Sequence, residues 1–412
     1  MNDGPLHPLS EELARASAAR SLRRAAVQRW QDLHASAVVP PPVPPPVPPP
    51  PPPPRVISEH PLVASSRLQG ELDAHVAALL DFVGRRGERL RDHPAFRHWP
   101  AAGAPDVISA DLAIVRDDRA EGGWALRWVE FQAFTSLVSS CYSLHLLAAE
   151  AWPALRDMAA WQAPPGGQSW LEAARRWAVP APGILLETAP ASQSTSFDLA
   201  AAAHWFRLPV VEPGALQTSG ADAWYVDAHG MRQPVGHVFN RLVLHELGAE
   251  REAFERRAGQ ANLSWHSHPA WYYGVSKALL PELAMAGDLR AAPLPRWREL
   301  GLPAAQLVAK NVHSHGGHAV HLHVTAEQLD SLVPSADWIV QPRFAPYPLL
   351  RASDGAPSFG EIRCVIALPR AGTPWVCMQM VRLSRNAKAS SSAMEDRPGT
   401  GLALLYRPDG LA

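Results

Sequence analysis

The chain has 412 residues, 47% of them hydrophobic, and carries 38 Lys+Arg against 39 Asp+Glu. It is long enough for two or three domains with a real core, and its charge balance argues against wholesale attraction to nucleic acid or membrane. Cys141, Cys364 and Cys377 are too few and too scattered for a disulfide framework or a CxxC zinc site. With no apolar run long enough to span a bilayer and no secretory h-region, a reducing cytoplasm is the expected location.

The first predicted element is a helix over residues 10–34. Ser10 stands before Glu11 and Glu12, a fitting N-cap with acids in the first turn. Leu13, Ala16, Ala19, Leu22, Ala26 and Trp30 then recur at three- and four-residue steps. Residues 40–54 are proline apart from Val43 and Val47. Such a run adopts polyproline II and spans roughly 45 Å. It serves as a semi-rigid spacer, or as a ligand for a polyproline-binding partner. Residues 1–38 are thus read as a short N-terminal helix, 39–55 as a linker, and both stand apart from the fold as a Pro-rich arm.

From Leu62 the chain reads as globular. Leu72, Val76, Leu79, Leu80, Val83 and Leu90 predict an amphipathic helix over 68–91. Residues 111–115 and 124–131 predict a hairpin, and 137–151 a helix. The apolar run 183–187, a helix over 197–205 and a strand over 208–211 suggest a βαβ unit. Strands near 224–227 and 235–240 follow, and helices alternate with strands from Trp271 onward. The fold class is α/β, or α+β with at least two lobes.

The stretch Val129-Glu130-Phe131-Gln132-Ala133-Phe134-Thr135-Ser136-Leu137 carries chemistry. On a strand, Glu130 and Gln132 share a face, about 6–7 Å apart. A carboxylate and an amide oxygen so placed are hard ligands suited to Mg²⁺; regular alternation would put Trp128 beside them. Lys310 ends an apolar strand and precedes Gly316 and Gly317, then a strand over 319–324. A glycine loop lets backbone N–H groups approach phosphates, and the lysine adds a point charge; Gly-Gly is equally an ordinary hairpin turn. The segment 337–342 ends in Gln341 and Pro342, a strand end that offers an amide to an adenine edge. Glu361 and Arg363 lie two apart on an apolar strand, and Arg382 follows on the next.

In order, Lys277, Lys310, Gly316-Gly317 and the run to Gln341 resemble the nucleotide site of the ATP-grasp ligases. The acid-bearing segment lies before the lysines instead of after them. That order is similar to the circularly permuted branch typified by glutathionylspermidine synthetase-like proteins. Its Glu-Tyr-Asn motif is matched in part here, with Gln132 in place of asparagine and the acid and proline that follow absent.

The resemblance implies ATP held by Lys277, Lys310, Gly316, Gly317 and Gln341, and Mg²⁺ held by Asp111, Glu130 and Gln132. Arg363 or Arg382 would grip the γ-phosphate or an acyl phosphate. It divides the body into 56–180 with the permuted metal-ligand strand, a pre-ATP-grasp or substrate region at 181–260, and ATP-binding lobes at 261–412. The implied activity is ATP-dependent joining of a carboxylate to an amine. Two other classes stay open. One is a nucleotide-binding adaptor without activity, recruited through the Pro-rich arm. The other is a His-metal hydrolase using His313, His315, His318, His321 and His323, or His266 and His268.

Overall fold

The structure, a computed structural model, describes residues 4–15, 30, 57–58, 60–99, 102–285, 291–314, 319–386 and 397–408. The proline run and most of the predicted 10–34 helix lie outside the described residues. No helix among the described residues is long and apolar enough to cross a membrane.

The architecture is mixed α/β, with four sheets among the described residues. The largest draws on both ends of the chain. Its strand order is Leu62–Val63, Gly401–Tyr406, Trp375–Ser384, Pro357–Ala367, Val107–Arg116, Trp124–Gln132, with Pro348–Arg351 paired to Pro357–Ala367. All pairs are antiparallel except the first. Both faces are covered, so these strands are apolar on both sides. One face packs the helix Ser66–Arg86, which starts at its Ser65 cap and stops at Gly87, where φ is 47°. The other face packs the helix Val138–Ala151.

A second sheet is wholly parallel, in the order Ser264–His266, His237–Asn240, Gly183–Leu186, Val210–Val211. The helix Ser196–Phe206 makes the crossover predicted for the βαβ unit. Gly183 is required here, since a Cβ would stand 2.2 Å from the His237 carbonyl oxygen. The predicted strand over 208–211 shortens to Val210–Val211. A small hairpin sheet joins Gln217–Ser219, Asp222–Val226 and Arg232–Pro234.

The fourth sheet is antiparallel, in the order Ala292–Pro293, Trp338–Pro342, Leu307–Asn311, Val320–His321. The strand predicted over 319–324 contracts to those two residues. Leu307, Ala309, Trp338 and Val340 line one face and pack on Leu294, Trp297, Val324 and Leu329. By alternation, Val308, Lys310, Ile339 and Gln341 line the other.

The described start of the chain is not a free arm. Leu6 bridges Ala64, the His7 N–H donates to the Val63 carbonyl at 2.9 Å, and the Val63 N–H donates to Ser10 Oγ at 2.8 Å. Leu13 is buried on the helix Pro8–Arg15, and Trp30 is buried edge-on against Phe197. The reason is physical: Leu62–Val63 is the sheet's edge strand, and an edge left open offers unpaired backbone groups.

Candidate functional site

The site forms where the 124–132 edge of the large sheet meets the Lys310 face of the fourth sheet. Strand pairing sets its first half. Asp111 stands opposite Glu130 on one side and opposite Arg363 on the other, while Glu361 stands opposite Arg382. Residues paired across antiparallel strands share a face, so these charged side chains project together. Ser109 pairs with Gln132, which places Gln132 on the same face beside Glu130.

Asp111 is almost wholly buried and doubly bound. Arg363 donates Nε to Oδ1 and Nη2 to Oδ2, both at 2.7 Å, and Arg382 Nη2 donates to Oδ2 at 2.6 Å. Burial works against the ionised carboxylate, yet the Arg363 and Arg382 guanidiniums hold it well below the usual carboxylate range. Arg382 also bonds Glu361, and Arg363 Nη1 donates to Ser136 Oγ at 2.7 Å.

The lysines supply the second half. Lys277 lies 3.4 Å from Glu130 Oε2 and also donates to the backbone carbonyl of Ser314. Lys310 Nζ donates to the Val129 carbonyl at 2.7 Å. Burial pushes the Lys310 ammonium down to about 8; Glu130 opposes that and Lys277 adds to it. Four cations, Lys277, Lys310, Arg363 and Arg382, thus face three carboxylates, Asp111, Glu130 and Glu361, an excess of one positive charge. Among buried groups, where water screens little, such an excess attracts an anion.

A β-bulge makes the junction. Asp111 pairs with Glu130 but Leu112 pairs with Trp128, so Val129 is the extra residue. The bulge breaks the regular alternation expected from the sequence: Trp128 turns to the apolar face with Phe131, their ring centroids 6.1 Å apart, and not to the side of Glu130. It also leaves the Trp128 and Val129 carbonyls to the neighbouring sheet. Gln341 Nε2 reaches the Trp128 carbonyl at 3.4 Å, and Gln341 Oε1 is buried without a partner.

The loop after Gln132 is pinned from below. Thr135 Oγ1 meets His266 Nε2 at 2.9 Å, and His266 Nδ1 meets Asp106 Oδ2 at 2.8 Å. Ser267 Oγ accepts from the Thr135 N–H at 3.2 Å. This chain of contacts fixes Thr135 and therefore Ser136, the partner of Arg363. With Thr135 and His266 fully buried, it positions the loop and presents no reactive hydroxyl to solvent.

The structure therefore brings Asp111, Glu130, Gln132, Lys277, Lys310, Gln341, Arg363 and Arg382 to one junction. Gly316 and Gly317 lie outside the described residues, as do His315 and His318. Sequence reasoning gave Ser136 and Ser314 no task of their own, took His266 only as a metal candidate, and missed the Thr135–His266–Asp106 chain, whose members are ordinary polar residues until folding joins them. One signal was available. The whole sequence has three lysines, Lys277, Lys310 and Lys388, in a chain otherwise served by arginine, and two of the three meet here.

Among the described residues the histidines do not converge. His321 stacks near Trp338, with ring centroids 5.2 Å apart, and His323 Nδ1 contacts Arg343 at 2.8 Å. His313 lies 3.4 Å from Asp337, and His266 is taken by Asp106 and Thr135. Among the described residues no three His, Cys, Asp or Glu side chains are placed to hold a metal ion.

No protein-family model matches the chain, and no curated protein matches it in sequence. Among solved structures, it is similar to a protein of Methylobacillus flagellatus KT whose proposed activity is gamma-glutamylcysteine synthetase. The identity is 13% and the TM-score 0.37, over 84% of this chain and 89% of that one.

Proposed function

We propose that the chain is an ATP- and Mg²⁺-dependent ligase that joins a carboxylate to an amine through an acyl phosphate. The observation that carries the reading is the meeting of Lys277 and Lys310 with Arg363 and Arg382 at one sheet junction, with positive charge in excess. A polyphosphate satisfies that excess. Phosphoryl transfer asks the protein chiefly for positioning and charge neutralisation, and this is what buried, pre-oriented cations supply.

Each residue then has a task. Lys310 and Lys277 leave their present backbone acceptors, Val129 and Ser314, for phosphate oxygens. Asp111 does not reach the ligand. It fixes the planes of both guanidiniums, so that Arg363 and Arg382 present their remaining N–H groups to an acyl phosphate. The unpartnered Gln341 Oε1 accepts from an adenine amino group.

Magnesium fits this site in part. With both Asp111 oxygens held by arginine, the ion would rest on Glu130 and Gln132. Magnesium carried on a polyphosphate keeps most of its shell as water and phosphate oxygen, and one or two protein oxygens suffice. It would neutralise phosphate charge when bound.

The occupied Asp111 also favours a second reading, a nucleotide-binding protein without ligase activity. Calorimetric titration with ATP, in the presence and absence of Mg²⁺, separates the two. Saturable binding strengthened by Mg²⁺ supports the ligase; binding indifferent to Mg²⁺ supports the second reading; no binding removes both.

A further inference from the structure

The parallel sheet carries a charge of the opposite kind. From Gly183–Leu186 the chain crosses over to Val210–Val211 on one side, then returns to place His237–Asn240 on the other. The connections thus diverge between Gly183–Leu186 and His237–Asn240. In open parallel sheets, ligands bind outside the carboxyl ends of the strands at such a switch point. The residues that leave those two ends are Glu187 and Arg241.

Both are buried, 4% and 3% exposed, yet they do not neutralise each other. Arg241 gives Nη1 to Asp198 and Nη2 to Thr195 Oγ1 at 3.2 Å, and its Nε is buried without a partner. Asp198 is itself held in place, accepting the Leu137 N–H at 2.7 Å and the Ser140 N–H at 3.0 Å. Glu187 receives only the Thr188 N–H, at 2.8 Å, and no ion pair to it is present among the described residues. Glu187 and Asp198 against Arg241 leave one negative charge uncompensated, and the half-buried Glu246 acts on Glu187 as a nearby like charge. Burial, opposed by Arg241 and assisted by Glu246, pushes the Glu187 carboxyl up to about 7. A buried carboxyl in that condition takes either a proton or a cationic ligand.

This place is continuous with the cation cluster. Arg241 lies 5.8 Å from the Phe134 ring, and Phe134 packs edge-on against Tyr272 with centroids 5.6 Å apart. The buried Tyr272 phenol is pushed up by desolvation, and further by Glu130, Tyr273 and Glu246. Phe134 belongs to the same loop as Ser136, which holds Arg363.

We propose that Glu187, assisted by Glu246, binds the ammonium group of a primary-amine substrate at the carboxyl ends of the parallel strands, beside the anion site. The proposal rests on the carboxylate–amine reading above and supplies its missing half: the polyphosphate at the lysine–arginine junction, the cationic amine at the switch point.

The test is calorimetric titration of the full chain near pH 7 with n-butylammonium, 1,4-diaminobutane and lysine amide. n-Butanol and n-butyrate serve as neutral and anionic controls, and each titration is run in two buffers of different ionisation enthalpy. The expected result is saturable binding of at least one cationic amine with proton release, and no binding of the controls. Glu187→Gln should weaken that binding ten-fold or more and abolish the proton release, and Glu246→Gln should weaken it less. Amine binding unchanged in Glu187→Gln, no amine binding at all, or equal binding of n-butanol would overturn the proposal. If Glu187→Gln fails to fold, unchanged amine binding in Glu246→Gln overturns it. ATP titrated in parallel keeps the two readings apart: ATP binding without amine binding removes the switch-point site alone, and amine binding without ATP binding removes the ligase reading alone.

Discussion

Asp111 and Arg363 stand directly opposite each other on neighbouring strands and meet through two parallel hydrogen bonds of 2.7 Å. The pair is buried, and Arg382 adds a third bond to the same carboxylate. Removing one partner from a buried charged network leaves the others uncompensated. Asp111→Asn is therefore expected to cost about 3–5 kcal/mol. Urea unfolding at pH 7 measures it; a loss under 1 kcal/mol would mean that water reaches the arginines.

The sign of the Asp111 effect with pH follows from its lowered value. A carboxyl held low stabilises the fold above its ordinary value of 3.8, and that stability is lost as pH falls below it. Glu187 behaves in the opposite way. Its folded value of about 7 lies above the ordinary 4.5, so the folded state binds the extra proton and stability falls as pH rises from 4.5 to 7. Glu187→Gln should abolish that decline, gaining roughly 2–3 kcal/mol over the native chain at pH 8 but little at pH 4.5. Melting temperatures of the two proteins across this range test it; parallel pH profiles would contradict it.

The N-terminal segment provides a third expectation. Its start covers the sheet edge through His7 and Ser10, with Leu6, Leu13 and Trp30 buried. A chain beginning at Arg55 exposes that edge and the surfaces these side chains cover. It should melt several degrees lower than the full chain, since each large buried apolar side chain contributes roughly 1.5–3 kcal/mol. Equal melting temperatures would return the segment to the status of a detached arm.

How far the sequence reveals this molecule depends on the range of the interaction. Local patterns are legible: the hairpin of 107–116 with 124–132, the helix at 138–151 and the crossover helix at 196–206 all follow from periodicity and turns. Glu130 and Gln132 share a face because strand geometry requires it. The bulge at Val129 is not legible, because nothing in Trp-Val-Glu-Phe marks which residue the partner strand will skip. Nor is the double engagement of Asp111, whose partners lie more than 250 positions away and arrive only through strand pairing. Ser10 reads as an N-cap, but the helix begins at Pro8, and the Ser10 hydroxyl accepts from the Val63 N–H of an edge strand that local sequence does not announce.

Lys310 gives a pH expectation for ligand binding. Its ammonium loses its proton near 8 in the free protein, because burial outweighs the neighbouring carboxylates. A bound polyphosphate favours the charged form and raises that value. Affinity for ATP should then be level below pH 7.5 and fall as pH rises through about 8, with proton uptake on binding near pH 8. Calorimetry between pH 7 and pH 9 reads both; affinity that holds constant to pH 9 would show that Lys310 does not meet the phosphates.

The most direct measurement of the central claim is the ATP affinity of Lys310→Met against the native chain. The substitution removes a desolvated charge from a buried position, so the variant should fold with at least the native melting temperature. A charge-assisted contact to phosphate is worth roughly 1.5–3 kcal/mol, so affinity should fall about ten-fold or more. Native-like ATP affinity in the folded variant would contradict the anion site at the sheet junction, and with it the ligase reading.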